Sequence, residues 1–399
     1  MAALLTLEEA QERVLRRTRL LPPESVPIGE AGGRVAAEDV RARVDLPSFA
    51  SSAMDGFAVR ASDLPATLRI AGESAAGRPY EGRLETGDAV SISTGAVVPE
   101  GADAVVPIER VVCLDNEIEI SYPTEPGAYV RPRGGDLAAG DVAVPAGSRL
   151  TPARLAAAAA CGIAELACRR RPRVAVLATG SELVLPGAAL RPGQIYETNT
   201  LMLRSALVGT GAEIVSGPPV ADDEAALRDA LERGLAADVL VTSGGVSVGE
   251  HDLVRAVERD LGVEELFWRV SIKPGKPVSF GVRGETLVFG LPGNPVSALV
   301  GAELFVKPAL RALQGLAEVL PRYETGRLAK ALRQTEQRDE FVRAQSRVDG
   351  DAVVLDPVDG QESHMIVRSA AADALVHIPR GNGELAAGST VEWLRLDVV

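Results

Sequence analysis

Between residues 170 and 315, apolar runs alternate with amphipathic segments, and this alternation constrains the chain more than any other feature. Val174 to Ala178, Ala212 to Ser216 and Val239 to Thr242 read as buried-type strands, and residues 263–272, 278–282 and 286–290 as three more. Between them, Asn199 is placed to cap a helix carrying Leu203 and Leu207. Asp222 or Asp223 is placed to cap one carrying Leu227, Leu231 and Leu235, and Leu253, Val254, Val257 and Leu261 make a third helical face. A long helix is expected from Pro295. Such a pattern predicts an open, mainly parallel sheet with helices on both faces, whose ligands sit beyond the carboxyl ends of the strands.

Three turns rich in Gly and Pro fall at that edge. The first runs through Ser243, Gly244 and Gly245 towards Ser247 and Gly249. The second, Lys273-Pro274-Gly275-Lys276-Pro277, puts two ammonium groups three residues apart on a stiff loop. The third, Pro292-Gly293-Asn294-Pro295, ends with Asn294 as N-cap and Pro295 at the first helical position, leaving N–H groups free to face a ligand. Backbone donors and a few cations at one sheet edge suit a phosphate. The chain has only four lysines, so 38 of its 42 basic residues are arginines, yet two of the four fall in the second turn. The plainer reading is chance placement on a solvated loop.

At 399 residues the length suggests two to four domains. A net charge of −13 argues against a general nucleic-acid or anionic-membrane surface, so a local cationic pocket points to a small anionic ligand. Cys113, Cys161 and Cys168 have neither disulfide parity nor metal-ligand spacing and read as thiols of a reduced compartment. The first residues form a capping box at Thr6 and Glu9 and lack the pattern of a signal peptide. The apolar stretch from Leu155 to Ala167 is too short to span a bilayer and is started as a helix by Thr151 and Pro152. A cytoplasmic location is expected. Residues 1–44 and 138–169 are expected to make one domain, with residues 45–137 inserted as a β-rich domain of short strands and turns. Residues 170–318 make the α/β domain and 319–399 a small all-β domain.

There is no P-loop and no GxGxxG after a strand. Gly245-Val246-Ser247-Val248-Gly249 matches the GxSxG elbow of serine hydrolases. Ser247, however, lies several residues past the apparent strand end, the distant histidines, His364 and His377, fall in the C-terminal β region, and no HGG-type oxyanion loop is present. Glu182 follows the first strand of the α/β region in Thr179-Gly180-Ser181-Glu182-Leu183. Asp222 and Asp252 could be simple N-caps or, with Glu182, carboxylates for Mg²⁺ beside a phosphate; spacing alone does not decide. The turns at Asp55-Gly56, Ser93-Thr94-Gly95 and Arg131-Pro132-Arg133-Gly134-Gly135-Asp136 pass equally as ordinary loop chemistry.

Eight segments in order are similar to one family: PSFASSAMDGFA (47–58), STGAVVPEGADAVVPIE (93–109), RPRGGD (131–136), TGSEL (179–183), GQIYETN (193–199), SGGVSVGEHD (243–252), KPGKP (273–277) and GLPGNPVS (290–297). Together they resemble the molybdopterin molybdotransferase family, which includes bacterial MoeA and the E-domain of gephyrin. The resemblance implies an elongated homodimer of four-domain subunits, with an α/β domain similar to the molybdopterin-adenylylating enzymes and a small C-terminal β-barrel. It implies that molybdate is inserted into adenylylated molybdopterin with Mg²⁺, releasing AMP and giving molybdenum cofactor. The adenylylating enzyme and cofactor-accepting apoenzymes are the implied protein partners.

Position by position, the resemblance makes Lys273, Lys276 and Arg269 ligands of oxyanion or phosphate oxygens. Gly244, Gly245, Ser247, Pro292 and Gly293 line the same pocket, and Ser297 with Pro277 borders molybdate. Glu182, Asp222 and Asp252 would hold Mg²⁺ or orient the water that cleaves the adenylate. Asp55, Thr94 and Asp136 would close the cleft from the other subunit, and Arg338, Arg343 and Ser363 are weaker candidates for the oxyanion. Two positions depart from the pattern: Ser181 replaces the aspartate of the commoner TGDEL, and Phe57 the tyrosine of SAMDGYA. Three other classes compete. A serine hydrolase would be labelled at Ser247 by a fluorophosphonate, a phosphohydrolase or adenylyltransferase sharing the α/β domain would lack the inserted domain, and a scaffold would dimerise without turnover.

Overall fold

The structure, a computed structural model, describes residues 4–245 and 253–396. The chain divides into two compact units, Ser25–Cys168 and the remainder.

The larger unit opens with helix α1 (Leu7–Arg17), where the expected capping box forms: Thr6 Oγ1 accepts the Glu9 N–H at 3.2 Å and the Glu9 carboxylate accepts the Thr6 N–H at 2.8 Å. The α/β sheet contains β1 (Arg173–Ala178), β2 (Glu213–Ser216), β3 (Val239–Ser243), β4 (Glu264–Trp268), β5 (Ser279–Arg283) and β6 (Thr286–Leu291), in the order β2-β1-β3-β6-β5-β4. Strands β2, β1, β3 and β6 are parallel, and only β5 runs against its neighbours. Side-chain alternation divides the runs between two cores. Val174, Val176, Val239, Val241 and Phe289 face one layer, with Leu7, Ala10 and Val14 of α1 and Leu203 and Leu207 of α2 (Asn199–Val208). Ala175, Leu240 and Val288 face the other, against Leu227 and Leu231 of α3 (Glu224–Gly234) and Val254 and Val257 of α4 (Leu253–Asp260). Burial on both faces is why these strands read as continuous apolar runs.

Two local expectations change. The run 263–272 is not one strand, because Arg269 adopts φ +78° and breaks it between Trp268 and Ile272. The helix from Pro295 is interrupted: α5 (Pro295–Gly301) passes into a π-helical turn, Ala302–Val306, before α6 (Lys307–Leu313). Within that turn the Leu304 carbonyl accepts from Gln11 Nε2 of α1 at 2.9 Å, and Glu303 pairs with Lys307 at 2.5 Å, both side chains about nine-tenths buried.

After α6, strands β7 (Glu324–Leu328), β8 (Asp339–Asp349), β9 (Ala352–Pro357), β10 (Ala374–Ile378) and β11 (Thr390–Arg395) close into a five-stranded barrel, β8-β9-β7-β11-β10 and back to β8. Trp393, Val376 and Leu355 fill it. The short strand Ile272–Lys273 joins the barrel edge, parallel to Asp339 and Glu340 of β8.

In the smaller unit a six-stranded sheet, in the order Ala104–Pro107, Gly56–Val59, Asp88–Ile92, Ala66–Ser74, Glu117–Ile120 and Val112–Leu114, carries apolar side chains on both faces. A second core gathers Val26, Ala36, Val40, Val144, Leu150 and Ala158 around the helix Pro152–Ala160, capped by Thr151. No helix among the described residues is long and apolar enough to cross a membrane.

Candidate functional site

The three Gly-rich turns meet at the carboxyl edge of the α/β sheet. The ladder runs one residue past the strands, with Thr179 N–H donating to the Ser243 carbonyl at 2.9 Å and Gly244 N–H to that of Leu291 at 3.1 Å. Gly244 adopts φ +99°, and a β-carbon there would stand 2.4 Å from the Thr179 carbonyl oxygen, so no other residue fits without moving the backbone. A β-carbon on Gly293 would lie 3.6 Å from Gly244 Cα, which makes the first and third turns neighbours. Gly275 of the second turn is likewise close to the Ser297 carbonyl of α5. Ser247, Gly249 and Asp252 lie outside the described residues.

One amide joins the first turn to the third. Asn199 does not cap α2: it is the first helical residue, Thr198 makes no side-chain cap, and buried Glu197 accepts the Thr200 N–H at 2.8 Å instead. The Asn199 amide donates to Ser243 Oγ at 2.8 Å and to the Gly293 carbonyl at 2.7 Å. Ser243 Oγ also donates to the Pro292 carbonyl at 3.3 Å. Asn199 Oδ1 and Thr179 Oγ1 remain buried without a hydrogen-bond partner among the described residues.

Asn294 stands at the N-cap of α5 with Pro295 first in the helix, as expected, but its amide bonds Ser363 Oγ at 2.9 Å instead of the helix. The Ser363 carbonyl accepts the Val296 N–H at 3.1 Å, so the chain itself meets part of the open helix end. Ser297 is buried just behind it and Pro277 is half-buried.

The two lysines of the second turn differ. Lys273 Nζ donates to Glu340 of β8 at 2.9 Å, the lysine half-exposed and the glutamate largely covered. Lys276 is half-buried and makes no ion pair among the described residues, while its carbonyl holds the loop by accepting the Val270 N–H at 2.9 Å. Arg269 lays its guanidinium 3.7 Å from the Trp268 ring centroid, and Arg255 stacks on the same ring at 4.1 Å while holding Glu265 in a bidentate pair.

On the strand β1 side, Ser181 and Asp222 clasp each other: the Ser181 N–H donates to the Asp222 carboxylate at 3.0 Å and the Asp222 N–H to Ser181 Oγ at 2.9 Å. Asp223 is the cap of α3, accepting the Ala226 N–H at 2.9 Å, which leaves Asp222 at the turn. Glu182 is exposed, its carboxylate folded back over Gly180. Among the described residues no three His, Cys, Asp or Glu side chains form a metal cluster.

The other candidates are held in local networks. Arg343 is 1% exposed and donates to the carbonyls of Gly360, Glu362 and Met365 and to Ser369 Oγ, and burial pushes its pKa down. Arg338 is half-exposed and offers its carbonyl to Thr335 Oγ1. His377 stacks on Phe341 with centroids 5.2 Å apart, a packing contact of the barrel. In the smaller unit, Asp55 accepts from Thr94 N–H at 2.6 Å and Thr94 Oγ1 at 3.0 Å, and these bonds hold its carboxyl below the ordinary 3.8. Asp136 is exposed beside a loop anchored by Asp45, which takes Arg133 at 2.6 Å and the Ala139 N–H at 2.8 Å. Phe57 is buried, so the position that departs from tyrosine packs in the sheet. No disulfide joins Cys113, Cys161 and Cys168, and the last two are buried.

Family models match nearly the whole chain: the MoeA N-terminal region (domains I and II) over residues 5–162, a probable molybdopterin binding domain over 175–312, and the MoeA C-terminal region (domain IV) over 325–396. A molybdopterin molybdenumtransferase of Haemophilus influenzae is 37% identical across 97% of this chain and 98% of its own length. Molybdopterin molybdenumtransferase 2 of Mycobacterium tuberculosis is 38% identical with the same coverage. The solved molybdopterin biosynthesis MoeA protein of Pyrococcus horikoshii superposes with a TM-score of 0.85 at 34% identity, covering 99% of this chain and 100% of that one. With matches to its N-terminal, central and C-terminal regions in family order, the chain belongs to the MoeA family.

Proposed function

We propose that this chain is a molybdopterin molybdenumtransferase, which inserts molybdate into adenylylated molybdopterin and releases AMP. The observation that carries the reading is the meeting of three Gly-rich turns at one sheet edge, the second of them carrying Lys276, which makes no ion pair among the described residues, in a chain of net charge −13. Its relatives in Haemophilus influenzae and Mycobacterium tuberculosis bear that enzyme name.

In this reading the backbone of Gly244, Gly245, Pro292 and Gly293 lines the cradle for phosphate and diphosphate oxygens. Lys276, Lys273 and Arg269 supply positive charge to those oxygens and to molybdate, with Ser297 and Pro277 along the border. Thr179 Oγ1 and Asn199 Oδ1 supply buried polar atoms that have no partner among the described residues, the first next to Gly244. Glu182 and Asp222, exposed carboxylates on adjoining turns, are hard oxygen donors of the kind Mg²⁺ takes, and the family resemblance adds Asp252, which lies outside the described residues. Mg²⁺ held there would neutralise charge on the diphosphate oxygens. The alternative role for the same carboxylates is to orient the water that attacks phosphorus as AMP leaves. A homodimer, four domains and roles for Asp55, Thr94, Asp136, Arg338, Arg343 and Ser363 belong to the same proposal.

The test is AMP release from adenylylated molybdopterin with Mg²⁺, with and without molybdate, while cofactor formation is followed. Molybdate-dependent release is expected. A folded protein that releases no AMP would overturn the reading.

A further inference from the structure

We infer that Glu340 of the barrel is a built-in counter-ion for Lys273, one that an incoming oxyanion displaces, so that this glutamate sets how tightly the second turn binds anions. The inference rests on the proposed use of this turn for an oxyanion.

Three observations combine. First, Lys273 Nζ and Glu340 Oε1 are 2.9 Å apart, and the carboxylate is covered while the ammonium is half-exposed, 14% against 49%. The glutamate is therefore fixed and the lysine is the member free to swing. Second, the pair is built by backbone pairing, since Ile272–Lys273 runs parallel to β8 with Lys273 in register with Glu340. The next strand neighbour, Asp339, is tied independently by its N–H to the Ser271 carbonyl at 3.1 Å and by its carboxylate to the Arg380 N–H at 2.9 Å. The backbone that carries Glu340, paired also with Ile378 of β10, is thus held independently of Lys273. Third, Lys276, three residues on in the same loop, has no such acid among the described residues. One turn therefore carries a cation open to ligand and another already neutralised, and an anion that recruits the second must compete with a carboxylate.

A carboxylate and an oxyanion compete for the same three N–H donors, so removing the carboxylate's charge strengthens anion binding. Because the lysine is half in water, the gain is small, about two- to fivefold, in the range measured for exposed ion pairs. A glutamate that only shaped the loop would give no gain, or a loss.

With four lysines in the chain, 13Cε-lysine labelling of the full-length protein resolves few enough signals to follow Lys273, assigned through Lys273→Met. Sodium molybdate is titrated at constant ionic strength into wild type, Glu340→Gln, Glu340→Ala, Lys273→Met and the Lys273→Met/Glu340→Gln double variant. The expected result is a saturable shift of the Lys273 signal in wild type and a Kd two- to fivefold lower in both Glu340 variants. In the Lys273→Met background Glu340→Gln should add nothing. A Kd unchanged or raised by loss of the carboxylate, a gain that survives without Lys273, or a Lys273 signal that ignores molybdate would each overturn the inference. AMP release by wild type is scored separately: its absence with the ion-pair exchange intact would refute the transferase reading alone, and turnover without the exchange would refute this inference alone.

Discussion

Replacing Asn199 with alanine removes one amide that ties the first turn to the third. The amide makes two buried hydrogen bonds, to Ser243 Oγ at 2.8 Å and to the Gly293 carbonyl at 2.7 Å. Each contributes about 1 kcal/mol net, and a buried acceptor left alone costs about 1–3 kcal/mol more. Ser243 keeps a second contact to the Pro292 carbonyl at 3.3 Å, so the orphaned group is chiefly the Gly293 carbonyl. Alanine returns a few tenths of a kcal/mol as the better helix former. The net expectation is a loss of about 2.5–4.5 kcal/mol.

Trp268 at the end of β4 reports on this domain, and Trp393 in the barrel can be silenced as Trp393→Phe, so urea unfolding followed by fluorescence reads the change directly. Because Gly293 abuts Gly244, a loosened third turn should also raise KM for the adenylylated substrate more than it lowers kcat. A stability loss below about 1 kcal/mol would refute the accounting of the two hydrogen bonds. A full loss with unchanged KM would refute the claim that the pin shapes the site.

Other expectations follow from the same structure. Lys276→Ala should raise the molybdate concentration for half-maximal AMP release by about tenfold or more, the loss of one charged hydrogen bond, with circular dichroism unchanged; unaltered molybdate dependence would remove that role. Lys307→Met leaves Glu303 buried without its partner and should cost about 3–5 kcal/mol, while Glu303→Leu/Lys307→Met should be neutral or stabilising, read by thermal or urea unfolding. Burial already pushes the Glu303 carboxyl above its ordinary 4.5, so the folded state holds that proton more tightly than the unfolded chain does. In Lys307→Met the stability should therefore be highest at acid pH and fall as pH rises through the raised value. Asp55 shows the opposite sign, since its bonds to Thr94 lower its pKa below 3.8. Their stabilisation is fully present above that ordinary value and is lost as pH falls through the lower folded one, so Asp55→Asn should flatten the acid limb of a stability–pH profile.

What was legible in the sequence was whatever depends on neighbours in the chain. Two-sided apolar runs announced the parallel sheet, Thr6 with Glu9 and Thr151 with Pro152 announced their helices, and the Gly and Pro spacing announced the three turns. Asn199 was misread because an asparagine before an amphipathic run has the right type for a cap, whereas its partners are 44 and 94 residues away. Lys273 and Lys276 are interchangeable by motif. They diverge because Ile272–Lys273 takes a strand position against β8, 67 residues on, and this gives Lys273 an acid while Lys276 has none among the described residues.

Ser363 follows the same logic at the third turn. It lies 69 residues beyond Asn294, yet takes its amide and the Val296 N–H that the motif alone would leave for a ligand. The C-terminal barrel thus touches the turns at two points, Glu340 on the second and Ser363 on the third. In both it occupies a donor of the kind an oxyanion needs. Local motifs specify which donors the edge of the sheet carries, and the barrel, joined to that edge by one short parallel strand pairing, decides which of them are free.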